Sequence, residues 1–157
     1  MIEVRPAVPD DAMAVARVHV RAWQVGYHGL MPADYLASLR AEDRAARYTF
    51  GRVDGPRTTV GVRDGVIAGF ATTLGDELCA LNVDPDLWSV GVGRALLAHA
   101  RGELSATGAT EGRLWMLVGN ARAERFYLRD GWRVTDVTRT ATVWGLACAE
   151  VELRRKL

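Results

Sequence analysis

The chain predicts one mixed α/β domain, a sheet of parallel and antiparallel strands with helices on its faces. Three observations predict it. Asp64-Gly65 between two apolar runs is a two-residue hairpin signal. Glu77–Ala100, ELCALNVDPDLWSVGVGRALLAHA, reads as an apolar strand, a Pro-marked turn, a Gly-x-Gly loop and a helix. Arg113–Trp132 reads as another strand followed by a helix, with Asn120 as helix N-cap and Gly131 as the stop. Hairpins and crossovers together exclude a fully parallel, doubly wound sheet.

Ile2–Arg5 alternates as a strand, and Val8-Pro9-Asp10-Asp11 opens a helix: proline suits the first turn and the aspartates face the positive dipole end. Val15, Val18, Ala22 and Trp23 recur at helical spacing, so this helix runs to about residue 24. Gly26 and Gly29 break it, Pro32 starts a short second helix through Leu39, and Glu42–Phe50 is a weaker helical piece. Thr58–Val62, Val66–Leu74 and Leu78–Val83 are strands. The next helix carries Val92, Leu96, Ala100 and Leu104 on one stripe. Arg113–Val118 is a strand, Asn120 to Gly131 brackets a helix, and Trp132–Arg139 and Ala147–Leu153 finish as strands. The predicted order is β-α-α-β-β-β-α-β-α-β-β.

Length and composition bound the function. The 157 residues suit one domain, spanning 1–157, with a real core. Apolar residues make up 49%, and charged residues 25%, as in ordinary globular proteins. A net charge of +1 gives no electrostatic case for nucleic acid or an anionic membrane as partner. No apolar stretch approaches the roughly 20 residues that span a bilayer. MIEVRPAVPDD lacks the apolar segment of a signal peptide, which points to the cytoplasm. There Cys79 and Cys148, both in apolar strand-like segments, read as reduced core thiols, with a disulfide as the other possibility. The three histidines lack metal-ligand spacing, so no metal site is expected.

The loop before the fourth helix aims consecutive N–H groups and a positive helix end at one point, a ready site for phosphate. Gly91-Val92-Gly93 is not a dinucleotide fingerprint: the third small residue falls on Leu96, and no N-terminal βαβ unit precedes it. No Gly-Lys-Ser/Thr occurs, which excludes a Walker A loop. The alternative reading is a helix start whose glycines allow close packing.

The segment resembles the cofactor motif of the GNAT superfamily of N-acetyltransferases. That pattern is Leu-x-Val, Pro, then Gln/Arg-x-x-Gly-x-Gly/Ala and an amphipathic helix. Here it reads Leu81-Asn82-Val83, Pro85, Trp88-Ser89-Val90-Gly91-Val92-Gly93, with Arg94 onward. A second family motif, Asn-x-x-Ala-x-x-Phe-Tyr-x-x-x-Gly-Trp, matches Asn120, Ala123, Phe126, Tyr127, Gly131 and Trp132. The opening Ile2-x-x-Arg5-Pro6-Ala7-x-x-x-Asp11 and the Trp23-x-x-x-Tyr27-x-Gly29-Leu30 stretch resemble bacterial members as well. One departure stands out. Trp88 replaces the usual glutamine or arginine and brings no cation, so the pyrophosphate is expected to rest on backbone N–H groups from about Val90 to Ala95, with Arg94 the nearest charge.

The resemblance implies an enzyme that moves acetyl from acetyl-CoA to a primary amine by direct attack in a ternary complex. Such an amine must lose its proton, the thioester oxygen must be stabilised, and the thiolate gains from a proton donor. In the family a tyrosine hydroxyl lies beside the cofactor sulfur, which makes Tyr127 the candidate acid, or else a core aromatic beside Phe126. Glu77, eleven residues before Trp88, matches the strand position where several members place a glutamate base; a solvated strand start beside Asp76 is the other reading. The family's oxyanion donor is a backbone N–H near a bulge, here about Leu81 to Val83. Asn120 caps its helix or also reaches the cofactor. Trp23, Tyr27 and His28 border the expected acceptor cleft or pack its junction. Final-strand pairing, common in the family, raises a homodimer. A non-catalytic acyl-CoA-binding module on the same fold is the alternative function, and a nucleotide-dependent enzyme a further one.

Overall fold

The computed structural model describes residues 1–157. Seven strands form one sheet in the order β1-β2-β3-β4-β5-β7-β6: β1 (Ile2–Pro6), β2 (Arg57–Arg63), β3 (Val66–Leu74), β4 (Glu77–Val83), β5 (Glu111–Leu117), β6 (Arg133–Val143) and β7 (Leu146–Lys156). Every neighbouring pair is antiparallel except β4 and β5. The five helices are α1 (Ala12–Gly26), α2 (Ala33–Ser38), α3 (Ala41–Ala45), α4 (Val92–Ala106) and α5 (Ala121–Arg129). The mixed sheet read from the sequence is therefore present, with the weak Glu42–Phe50 segment contracted to α3.

Two layers cover the sheet. On one face Val92, Leu96, Leu97, Ala100 and Leu104 of α4 bury against Leu78, Val83, Leu114 and Leu153, with Trp132 closing the end. On the other, Val15 and Val18 of α1 pack on Val60 and Phe70, and Trp23 meets Met31, Leu36 and Cys148. Asp11, which accepts from Arg5 at 2.8 Å and from the Val8 N–H at 2.9 Å, fixes the entry into α1. Those bonds hold its carboxyl below the usual aspartate range.

Three local features depart from the sequence reading. The hairpin β6–β7 is longer, because it turns at Trp144-Gly145 with φ of 49° and 82°. A tryptophan is a poor signal for that left-handed turn. Next, β7 lies between β5 and β6, so the final strand has no free edge to pair with a second copy; β6 holds the edge. The third feature is a bulge in β4. Ala80 stands opposite Thr72 and Leu78 opposite Thr73, leaving Cys79 unpaired. That extra residue resets the alternation, and so Leu78, Leu81 and Val83 all face α4 although the first two are three positions apart. It also turns Cys79 outward, exposed and not in the core.

Close approach of β3 to β4 requires glycine at position 69. A Cβ there would stand 2.8 Å from the Asn82 carbonyl oxygen and 3.1 Å from Leu96 Cδ1. Gly69→Ala is expected to lower stability by about 1–3 kcal/mol. An unchanged urea midpoint would contradict that packing.

Candidate active site

Although β4 and β5 each run seven residues, they pair only at Glu77–Arg113 and Leu78–Leu114. Beyond those rungs the strands splay apart, and between them opens a cleft of about 860 Å³. That volume suits a large organic ligand. The splay leaves backbone groups without partners in the middle of a sheet. The Asp84 N–H donates across to the Ala68 carbonyl at 2.8 Å, so even-numbered residues of this stretch address β3. By alternation the N–H groups of Leu81 and Val83 point into the gap. The Val83 carbonyl on that side accepts from Trp88 Nε1 at 3.0 Å.

At the mouth, the chain passes from β4 through Pro85–Leu87 into the loop before α4. Gly91 is the N-cap, with φ 96°, and Ser89 also lies at positive φ, 66°. Alternating left-handed residues turn successive N–H groups to one side, the form of an anion nest. The Ala95 N–H already donates to the Gly91 carbonyl at 3.0 Å, closing the first turn of α4. Ala95 therefore drops out of the expected cradle, leaving the N–H groups before it. Val92 is fully buried in the core and Val90 is exposed outside the cleft lining, so both contribute backbone only.

Leu81, Asn82, Val83, Trp88, Ser89, Gly91, Gly93, Arg94, Asn120, Ala123 and Tyr127 all line this one cleft. Asn120 is buried, and its Oδ1 accepts from the Ala123 N–H at 3.2 Å, which caps α5 and aligns that helix along the gap. Tyr127 on α5 packs edge-on against Phe126 at 5.2 Å and Trp132 at 6.1 Å. Its hydroxyl makes no hydrogen bond to protein, and burial raises the phenol above its ordinary value.

Two expected residues stand elsewhere. Glu77 lies outside the cleft lining, its carboxylate 3.7 Å from Arg113 at the closed end of the β4–β5 pair. His28 is exposed past the end of α1 and also outside the lining. Trp23 and Tyr27 do line the cleft, 5.1 Å apart and edge to face. The bulge, too, sits at Cys79 and not at Leu81 to Val83.

Several residues of the cleft carried no motif. Arg122 of α5 lays its guanidinium 3.6 Å over the Trp88 ring. The indole at the usual glutamine or arginine position is thus stacked against a guanidinium from the opposite wall. Glu150 and Cys148 of β7 line the far wall with Trp144. Behind them Arg44 is fully buried, between the Trp23 and Trp144 rings at 4.3 and 4.0 Å. It has no carboxylate partner; burial lowers it to about 10, and its Nη2 is unbonded. Its Nη1 donates to His19 Nε2 at 2.8 Å, so His19 carries its proton on Nδ1 and donates to the Tyr48 hydroxyl at 2.9 Å. The signal for Arg44 and Glu150 exists only in three dimensions, since α3 and β7 are far apart in sequence.

Residues 19–132 match the model of the acetyltransferase (GNAT) family. The chain belongs to the GNAT family. Among its relatives is YuaI of Bacillus subtilis, an uncharacterized N-acetyltransferase, 30% identical over 128 residues that cover 76% of this chain and 74% of that one. A GCN5-related N-acetyltransferase from Rhodopseudomonas palustris superposes with a TM-score of 0.81 at 23% identity, covering 99% and 95% of the two chains. PaiA N-acetyltransferase of Thermoplasma acidophilum, solved with coenzyme A, does so with 0.79 at 20% identity over 100% and 99%. The GNAT fold thus extends through β1 and β7, beyond both ends of the matched family segment.

Proposed function

We propose that this GNAT enzyme transfers acetyl from acetyl-CoA to a primary amine by direct attack in a ternary complex. One observation carries the reading: unpaired strand N–H groups, a helix N-terminus and an unbonded tyrosine hydroxyl meet in one cleft. The residues fit such a ligand. The Ser89–Arg94 loop offers N–H groups and the α4 dipole to the pyrophosphate. Leu81 and Val83 offer strand rungs to the amide-bearing arm. Asn120 and Ala123 form the opposite bank.

Acetyl-CoA supplies a thioester, an acyl group already activated toward amines. The Leu81 N–H, aimed into the gap at the strand edge, donates to the carbonyl oxygen as it gains charge. Tyr127, kept protonated by its enclosed position, gives its proton to the departing thiolate. Glu150 is the carboxylate at the far wall, and the proton of the acceptor's ammonium passes to it. Cys79 takes no covalent part: partial enclosure at the cleft and the neighbouring Glu77 carboxylate raise its thiol, which keeps it a thiol at neutral pH. No helix is long and apolar enough to cross a membrane. The cytoplasmic location remains our proposal.

Thermal unfolding with ligand tests the reading. At a hundredfold excess over its Kd, acetyl-CoA is expected to add about 2.7 kcal/mol, a rise of about 5–10 °C for a domain this size. NAD and ATP are expected to add nothing. Stabilisation by NAD alone would overturn the proposal.

A further inference from the structure

Four arginines of the cleft lining, Arg94, Arg122, Arg125 and Arg129, have no carboxylate partner; Arg122 reaches the end of α1, and Glu150 is a half-free anion of the same cleft. Arg122 is exposed to the cleft, stacked on Trp88, and bonded to no carboxylate and no other polar group. Its Nη2 would lie 3.1 Å from a Cβ at Gly26, so the guanidinium reaches across from α5 to the end of α1, next to Tyr27. On the other side, Glu150 projects from β7 with 13% of its side chain exposed. Its Oε1 is taken by Arg139 at 2.9 Å, while Oε2 accepts no hydrogen bond. Cys148, two residues along the same face of β7, packs in the cluster that holds Trp23, Met31 and Tyr27. Tyr27, Arg122 and Glu150 line the same cleft, and both charges act on the Tyr27 hydroxyl.

We infer that the acceptor is a free amino acid with an apolar or aromatic side chain, its ammonium on Glu150 and its carboxylate on Arg122. This rests on the acetyl-transfer reading above. The pairing follows from complementarity. A diamine or polyamine would bring a second cation against Arg122, and a peptide N-terminus lacks the carboxylate beside its amine. Arg44 does not compete for the anion, because the rings of Trp23 and Trp144 seal it behind the wall. Those same rings, with Tyr27 and Met31, present the apolar surface that receives the side chain. A guanidinium backed by an indole face is poised for a planar carboxylate.

Coenzyme A release measured with matched acceptors tests the inference: phenylalanine, phenylalaninamide, phenethylamine and spermidine. Phenylalanine is expected to exceed its amide in kcat/KM by about 30-fold or more. In Arg122→Gln that preference is expected to collapse to within about threefold, with the KM for acetyl-CoA little changed. Amide or spermidine turnover equal to that of the amino acid would overturn the inference and leave acetyl transfer standing. An Arg122→Gln enzyme that keeps its preference but needs far more acetyl-CoA would also overturn it, placing Arg122 on the cofactor's phosphates. Tight acetyl-CoA binding with no release on any amine would overturn the transfer reading, and the inference with it.

Discussion

Tyr127→Phe is expected to lower kcat about 100-fold at neutral pH while the KM for acetyl-CoA and the melting temperature stay near those of the parent chain. The split follows from the geometry. The hydroxyl makes no hydrogen bond to protein, so its removal leaves no partner unsatisfied. The ring keeps its edge contacts with Phe126 and Trp132. What is lost is the hydroxyl that the proposed mechanism uses as proton donor. About 100-fold corresponds to about 2.7 kcal/mol of transition-state stabilisation, within the usual range for a general acid. Steady-state kinetics on the parent and variant decide it. Turnover equal to the parent's would reduce Tyr127 to a packing residue.

Acid is expected to unfold the protein through His19. Burial first, then the neighbouring Arg44 cation, lowers this imidazole from an ordinary 6.5 to about 3. In the unfolded chain it takes a proton near pH 6.5; in the folded protein it stays neutral to about pH 3. Between those values the unfolded state binds the extra proton, so stability falls as pH falls. The full window is worth on the order of 5 kcal/mol, at a slope of about 1.4 kcal/mol per pH unit. Asp11 and Glu152, held low by their arginine partners, add losses of the same sign at the acid end. The range from pH 6.5 to 5 therefore isolates the histidine. His19→Gln keeps an acceptor for Arg44 and a donor for Tyr48, and is expected to remove the slope there. Urea unfolding of both proteins at several pH values measures it; identical slopes would refute the assignment.

What the sequence revealed follows from where its signals were local. The stripe Val92, Leu96, Ala100, Leu104 and the cap Asn120 need only their own helices, and both hold. Asp64-Gly65 likewise turns β2 into β3. The hairpin at Trp144-Gly145 was not legible beyond Arg139, because a bulky residue occupies its left-handed position. Cys79 looked like a core residue because its neighbours are apolar. The bulge that turns it outward depends on its pairing with β3, which no local pattern encodes. The acceptor wall was least legible of all. It joins α1, α5 and β7, and its charged members, Arg122 and Glu150, look in sequence like ordinary surface charges, as does Arg44 sealed behind it.

Only two rungs, Glu77–Arg113 and Leu78–Leu114, tie β4 to β5. Mechanically the seven strands are two plates, one of four and one of three, sharing a short spine. From Leu78 to Val83 the free lever is about 17 Å long, so a turn of about 5° at the spine moves its tip about 1.5 Å. The brace against that turn is α4, which lies across β1 to β4 and also touches β5. The aperture between the plates thus depends on the packing beneath α4, where Leu78, Val83, Leu97 and Leu114 serve both the core and the wall of the opening.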